Sequence, residues 1–221
     1  MKKAEILKKA YVERDVSWMY FNHRILQEAC KKQVPLLDRL SFLGIYSNNL
    51  DEFFRVRVAS LNRMLAGDTS REQAKQIKKT LKAIISLNES YAREYTAAVA
   101  EVFHVLKQHK IRLLTEHELN AEQKDFLTRF FYDTLNGAIN PLWLNELDDL
   151  SVLEDNRIYL VVEMAEVPRP ESAPVEENAP KRRALRKKYA LLQVPDRTYG
   201  RWVQVPSSEG FSNIMYLDDV I

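Results

Sequence analysis

From Ser70 to His109 the chain runs without a proline or a glycine. Along it Ala74, Ile77, Leu81, Ile84, Tyr91, Tyr95, Val99, Val102 and Leu106 recur at helical spacing, which makes one face apolar from end to end. At 1.5 Å per residue this predicts a single helix ~60 Å long. Such a helix holds together only if its stripe is buried against other helices. The preceding residues supply them. Residues 15–30 read as a first helix with Ser17 as N-cap and Trp18, Phe21, Ile25, Leu26 and Ala29 on one face. Pro35 sits at the expected first position of a second helix. Its stripe of Leu36, Leu40, Leu43, Leu50, Phe53, Val58, Leu61 and Leu65 reaches about residue 66, before the turn Gly67-Asp68-Thr69. The expectation is an antiparallel helical bundle with one very long helix.

Beyond it the period changes. Ile111-Arg112-Leu113-Leu114 reads as a short extended connector, and Asn120 with Gln123 as a capping-box start. The helix that follows carries Phe126, Leu127, Phe130, Phe131 and Leu135 and ends at Gly137 and Asn140-Pro141. Residues 158–164, 189–194 and 201–205 are short runs rich in β-branched and aromatic residues, hence strands, the last two joined by a turn-rich loop at 195–200. The fold class is therefore α+β. A helical domain over 1–110 precedes an incomplete α/β domain over 111–221 with a small antiparallel sheet, the boundary falling within 106–120. Residues 165–188 read as a mobile hairpin insertion: Pro168, Pro170, Pro174 and Pro180 alternate with Glu171, Glu176 and Glu177 and lead to the cationic run 181–188. Met215–Ile221 reads as the opening of an element, as in a fragment of a longer protein.

Composition excludes several functions. With 5 glycines, and no G-x-x-x-x-G-K-[ST] or G-x-G-x-x-G pattern, a nucleotide site here is of neither Gly-rich type. A net charge of +2 does not predict a nucleic-acid partner. The lone Cys30 excludes an internal disulfide, fits a reducing compartment and reads as a small buried hydrophobe. The start Met1-Lys2-Lys3 is no signal peptide, and no apolar run approaches the ~20 residues that span a bilayer. The location expected is cytoplasmic, with peripheral membrane association left open.

One stretch breaks the helical pattern. Ser47-Asn48-Asn49 places two poor helix formers within the second apolar stripe. Two readings stand. The pair shapes a kink near 47–49, with Asn48 capping a new helix and Asp51 in its first turn. Alternatively the amides, each donor and acceptor, meet a ligand such as a nucleobase edge. Propensity alone favours the kink. Arg57 reads as a fork for Asp51, Glu52 or a phosphate, or as part of a solvated face. His23, His104, His109 and His117 lack any ligand or catalytic spacing, so no nucleophile and no metal site is visible. The 181–188 run suits either a polyanion or plain solvation.

Asp15-Val-Ser-Trp18, Phe21-Asn22, Arg24-Ile-Leu-Gln-Glu28-Ala29, Pro35-Leu36, Arg39-Leu40, Phe42-Leu-Gly-Ile45, Ser47-Asn-Asn-Leu-Asp-Glu-Phe53 and Val56-Arg57 together resemble the N-terminal domain of the large bacterial polyphosphate kinases. The likeness runs over most of residues 11–65. It continues more loosely through Ile139-Asn-Pro141, 158–164, Tyr189–Pro195 and Arg201–Pro206, in the order of that family's head domain. The resemblance implies an ATP:polyphosphate phosphotransferase. Such an enzyme reversibly moves the terminal phosphate of ATP onto inorganic polyphosphate through a phosphohistidine, with Mg2+. It implies nucleotide contact for Asn49, with weaker roles for Asn48 and Leu50, and homo-oligomer contacts through the head domain. The catalytic histidines and the Mg2+ ligands are expected outside this chain, which alone would be inactive. A non-catalytic helical interaction module and a polyanion-binding module are the alternatives.

Overall fold

The computed structural model describes residues 11–147, 149, 151–165, 187–207 and 210–221. It forms two compact units, Met1–His109 and Lys110–Ile221.

The first unit is helical. α1 spans Arg14–Cys30, α2 Leu36–Phe53, α3 Ala59–Ala66 and α4 Arg71–Gln108, with one wider π-turn at Phe54–Val58 between α2 and α3. Ser70 caps α4, its side chain accepting the Gln73 N–H. The 38 residues of α4 make a rod ~57 Å long. α1, α2 and α3 all pack on it. Pairs between α1 and α2 run in opposite senses, Asp15 with Arg57 at one end and Ala29 with Arg39 at the other, so these helices are antiparallel. Tyr46 with Tyr95 and Arg39 with Glu101 set the same sense for α2 and α4. The core is built from Met19, Leu26, Leu43, Leu61, Ile84 and Val102, all at most 6% exposed.

The structure corrects several local expectations. α1 begins at Arg14 and is capped by Glu13, whose carboxylate accepts the Asp15 and Val16 N–H groups. Ser17 therefore lies inside the first turn, its N–H donating to the Glu13 carbonyl. Pro35 is the N-cap of α2 rather than its first residue. No kink forms at 47–49: α2 is continuous to Phe53, and the irregularity comes immediately after. There the Ala59 N–H reaches back to the Phe54 carbonyl, five residues earlier. Asn48 thus caps nothing. The buried line of α1 is Asp15, Met19, Asn22, Leu26 and Ala29, while Phe21 remains 59% exposed. Polar residues hold two core positions because α2 and the π-turn after it offer each a partner. Cys30 is only partly buried; burial and then Glu94 push its thiol pKa up, the setting of an inert thiol.

The second unit holds two three-stranded sheets. β1 (Ile111–Leu113), β5 (Trp202–Val205) and β6 (Ser212–Tyr216) form one in the order β1-β6-β5. β1 runs parallel to β6 with Ile111 opposite Ser212, and β5 antiparallel with Trp202 opposite Tyr216. β2 (Pro141–Trp143), β3 (Tyr159–Ala165) and β4 (Lys187–Gln193) form the other, antiparallel in the order β2-β4-β3. α5 (Ala121–Phe130) starts with a reciprocal Asn120–Gln123 capping box and lies against β5. The chain continues from α5 through a π-turn at Phe131–Leu135 and a 3-10 turn at Asn136–Ala138, and short helices α6 (Asp196–Tyr199) and α7 (Leu217–Val220) follow later in the unit. Leu127, Leu135, Val194, Val203, Met215 and Leu217 form its core.

The second unit also has strands that period alone left unread. β2, beginning at a proline, sits at a sheet edge, where the missing N–H costs no ladder bond. The connector at 111–114 is a true strand only because β6 pairs with it. β3 and β4 pair from Tyr159–Gln193 to Ala165–Lys187, so the expected hairpin has its two arms. Lys187 and Lys188 belong to β4, with Lys187 paired to Glu163 at 2.8 Å. The remainder of the 165–188 insertion lies outside the described residues.

Candidate functional site

The first unit carries a cleft of about 550 Å³ where the start of α1 meets the end of α2 and the π-turn. Its lining is Arg14, Asp15, Trp18 and Phe21 from α1, with Asn49, Glu52, Phe53, Val56 and Arg57 from the other side. That volume is in the range that holds a small molecule. Helical geometry explains the set. Positions 49, 52, 53 and 56 share one helix face. The π-turn advances through less angle per residue than an α-turn, so Arg57 lags back toward that face.

An aromatic floor and two polar groups define the cleft. Trp18 and Phe53 stack with ring centroids 4.0 Å apart and planes within 4°. Asp15 is 4% exposed. It receives Arg57 as a fork: Nε donates to Oδ1 at 3.0 Å and Nη2 to Oδ2 at 2.9 Å. Hydrogen bonding to Asp15 raises the Arg57 guanidinium above its already high pKa, so it is always charged. The expected partners of Arg57 are thus corrected. Asp51 is four residues before Arg55 and pairs with it at 3.0 Å, whereas Arg57 crosses to α1.

Asn49 is half-buried in the cleft wall, and its Nδ2 donates to Asn22 Oδ1 at 3.2 Å. Asn22, 1% exposed, donates from its own Nδ2 to the Tyr46 carbonyl at 3.1 Å. Asn48 is exposed and Leu50 half-buried, and both lie outside the lining. The sequence singled out Asn49 and Arg57; Trp18 and Phe53 were read only as apolar helix faces, and Asp15 and Asn22 were given no place in a site. The available signal was the Asp15-Val-Ser-Trp18 and Phe21-Asn22 match, because polar residues on an otherwise apolar helix face need a partner.

His23 hydrogen-bonds Glu94 at 2.6 Å and stacks on Tyr91 at 3.8 Å, a pairing between distant residues that spacing could not reveal. Among the described residues no three His, Cys, Asp or Glu side chains converge as metal ligands. No described helix is long and apolar enough to cross a membrane.

Residues 11–114 match the polyphosphate kinase N-terminal domain, and residues 122–221 match the polyphosphate kinase middle domain. The chain belongs to the polyphosphate kinase family. The polyphosphate kinase of Vibrio parahaemolyticus is 33% identical over 220 residues, which cover 96% of this chain and 29% of that protein. That of Escherichia coli K12 is 33% identical over 199 residues, 90% of this chain and 26% of that protein. The crystal structure of polyphosphate kinase from Porphyromonas gingivalis superposes with a TM-score of 0.72 at 30% identity, over 95% of this chain and 29% of that one. The chain thus spans under a third of the length of the polyphosphate kinases it matches. The cleft, from Arg14 to Arg57, lies wholly inside the segment matched by the family's N-terminal domain.

Proposed function

We propose that this chain is the adenine-nucleotide-positioning part of an ATP:polyphosphate phosphotransferase, and that its cleft holds the base of ATP or ADP. The observation that carries the reading is the Asn49 amide on the wall of an aromatic cleft, in the segment that the family's N-terminal domain matches. A purine needs an apolar face and an edge that both donates and accepts. Trp18, Phe21, Phe53 and Val56 supply the first and Asn49 the second. Asn48 and Leu50 serve as neighbours that hold Asn49 in the helix. Arg57 shapes the wall, because its fork is already committed to Asp15.

Phosphoryl transfer itself needs an in-line acceptor and charge neutralisation. In this reading the phosphorylated histidine and the Mg2+ ligands come from outside these 221 residues, inorganic polyphosphate is the second substrate, and subunit contacts form through the second unit. The protein works in the cytoplasm or at a membrane face.

Calorimetric titration with ATP and with ADP tests the reading. Asn49→Ala should weaken binding about fivefold to tenfold, the worth of one or two hydrogen bonds. It should leave helicity intact, alanine being the better helix former. Wild-type chain that binds neither nucleotide at millimolar concentration, or a variant that binds as tightly, would overturn it.

A further inference from the structure

We infer that Asn22 is a positioning residue that sets the direction of the Asn49 carboxamide and so selects adenine over a 6-oxopurine, an inference that rests on the nucleotide reading above. One atom at this point of α2 has a single possible role. The Tyr46 carbonyl oxygen only accepts. Asn22 Nδ2 donates to it at 3.1 Å, so Asn22 Oδ1 faces the other way, toward Asn49. That oxygen also only accepts, and Asn49 turns Nδ2 to it at 3.2 Å. The direction of both amides follows from one backbone carbonyl. Reversing Asn22 would set two acceptors against each other at a residue only 1% exposed.

Asn49 lines the cleft, and its Oδ1 and second N–H have no other hydrogen-bond partner among the described residues, so the anchored amide has these two groups left for a ligand in a fixed order. An acceptor beside a donor complements an exocyclic amine beside a ring nitrogen, which is the edge of adenine. A 6-oxopurine held in the same ring position presents a carbonyl and a protonated ring nitrogen, the reverse order, so like would face like. An unanchored Asn49 would rotate to suit either base. The anchored one cannot.

ATP and inosine triphosphate are the minimal pair of probes, since they differ only at that edge. The wild-type chain should bind ATP about tenfold or more tightly than inosine triphosphate, the discrimination of one good bidentate pair. Asn22→Leu, close in volume and without a hydrogen-bonding group, should narrow the ratio to within about threefold, mainly by loosening ATP. Tyr46 lies inside α2, so its carbonyl keeps its helical N–H partner in the variant. A purely structural Asn22 would weaken both nucleotides equally, so an unchanged ratio overturns the inference, as does a wild-type ratio near one. Failure of the wild type to bind either nucleotide overturns the nucleotide reading itself. Should Asn22→Leu not fold, side-chain amide NMR of the wild type decides: one Asn49 Nδ2 proton protected from exchange is expected, and fast exchange of both overturns the relay.

Discussion

Removing the Asp15–Arg57 fork should destabilise the helical unit by an amount that its geometry sets. Two parallel charge-assisted bonds, at 3.0 and 2.9 Å, tie the start of α1 to the π-turn. The Asp15 side chain is 5% exposed and that of Arg57 37%. Exposed ion pairs couple by about 0.2–1 kcal/mol, and breaking a fully buried one costs about 3–5 kcal/mol. A pair with one end buried and the other in contact with water falls between. Arg57→Met should therefore cost about 2 kcal/mol, because among the described residues the buried carboxylate keeps only the more distant Arg14 at 3.5 Å. Asp15→Asn should cost about 1–2 kcal/mol, since the neutral amide keeps one acceptor. In the double variant the losses should not add, and a coupling of about 1–2 kcal/mol should remain. Urea unfolding followed by far-UV circular dichroism measures all three. Salt at about 1 M shortens the screening length to about 3 Å, yet most of the coupling should survive because Asp15 is shielded from solvent. A coupling below about 0.3 kcal/mol, or one abolished by salt, would refute the view that this fork clamps the cleft wall.

Two further outcomes follow from single residues. Burial, with lesser contributions from Tyr91, Glu94 and Tyr95, pushes the Tyr46 hydroxyl from its ordinary value near 10 up to about 12. The folded-state pKa is raised, so this stability is fully present below pH 10 and is lost as pH climbs through about 12. Melting temperatures across that window should fall by the equivalent of about 2–3 kcal/mol, and Tyr46→Phe should flatten the profile. In the second unit Asn120→Ala should cost about 1 kcal/mol, because the Asn120 side chain accepts the Gln123 N–H at the head of α5. Thermal unfolding of the variant checks this, and an unchanged midpoint would show the cap to be idle.

How much could be read without the structure varies with the range of the interaction involved. The α4 rod and the Asn120–Gln123 capping box rest on residues three or four apart, and both were legible. The arms of the β3–β4 hairpin were legible too, from their β-branched and aromatic runs. Asn49 and Arg57 were singled out as chemically unusual, but their partners were not. Asn22 is 27 positions from Asn49, and Asp15 is 42 from Arg57. No local pattern encodes which distant side chain completes a hydrogen bond.

Sequence alone determined a long apolar helical stripe followed by a strand-rich segment, and a likeness dense enough to mark Asn49 as a candidate nucleotide contact. Periodicity and capping act within a turn or two of chain, so they survive without tertiary context. Only the tertiary structure decided that two core positions of α1 are polar, that the break comes at Phe54–Val58 rather than at the asparagines, and that Ile111–Leu113 is a strand. The first and the last depend on a partner brought in from far along the chain. A buried polar group is tolerable only once that partner is in place, and a three-residue strand exists only beside the strand that satisfies its backbone.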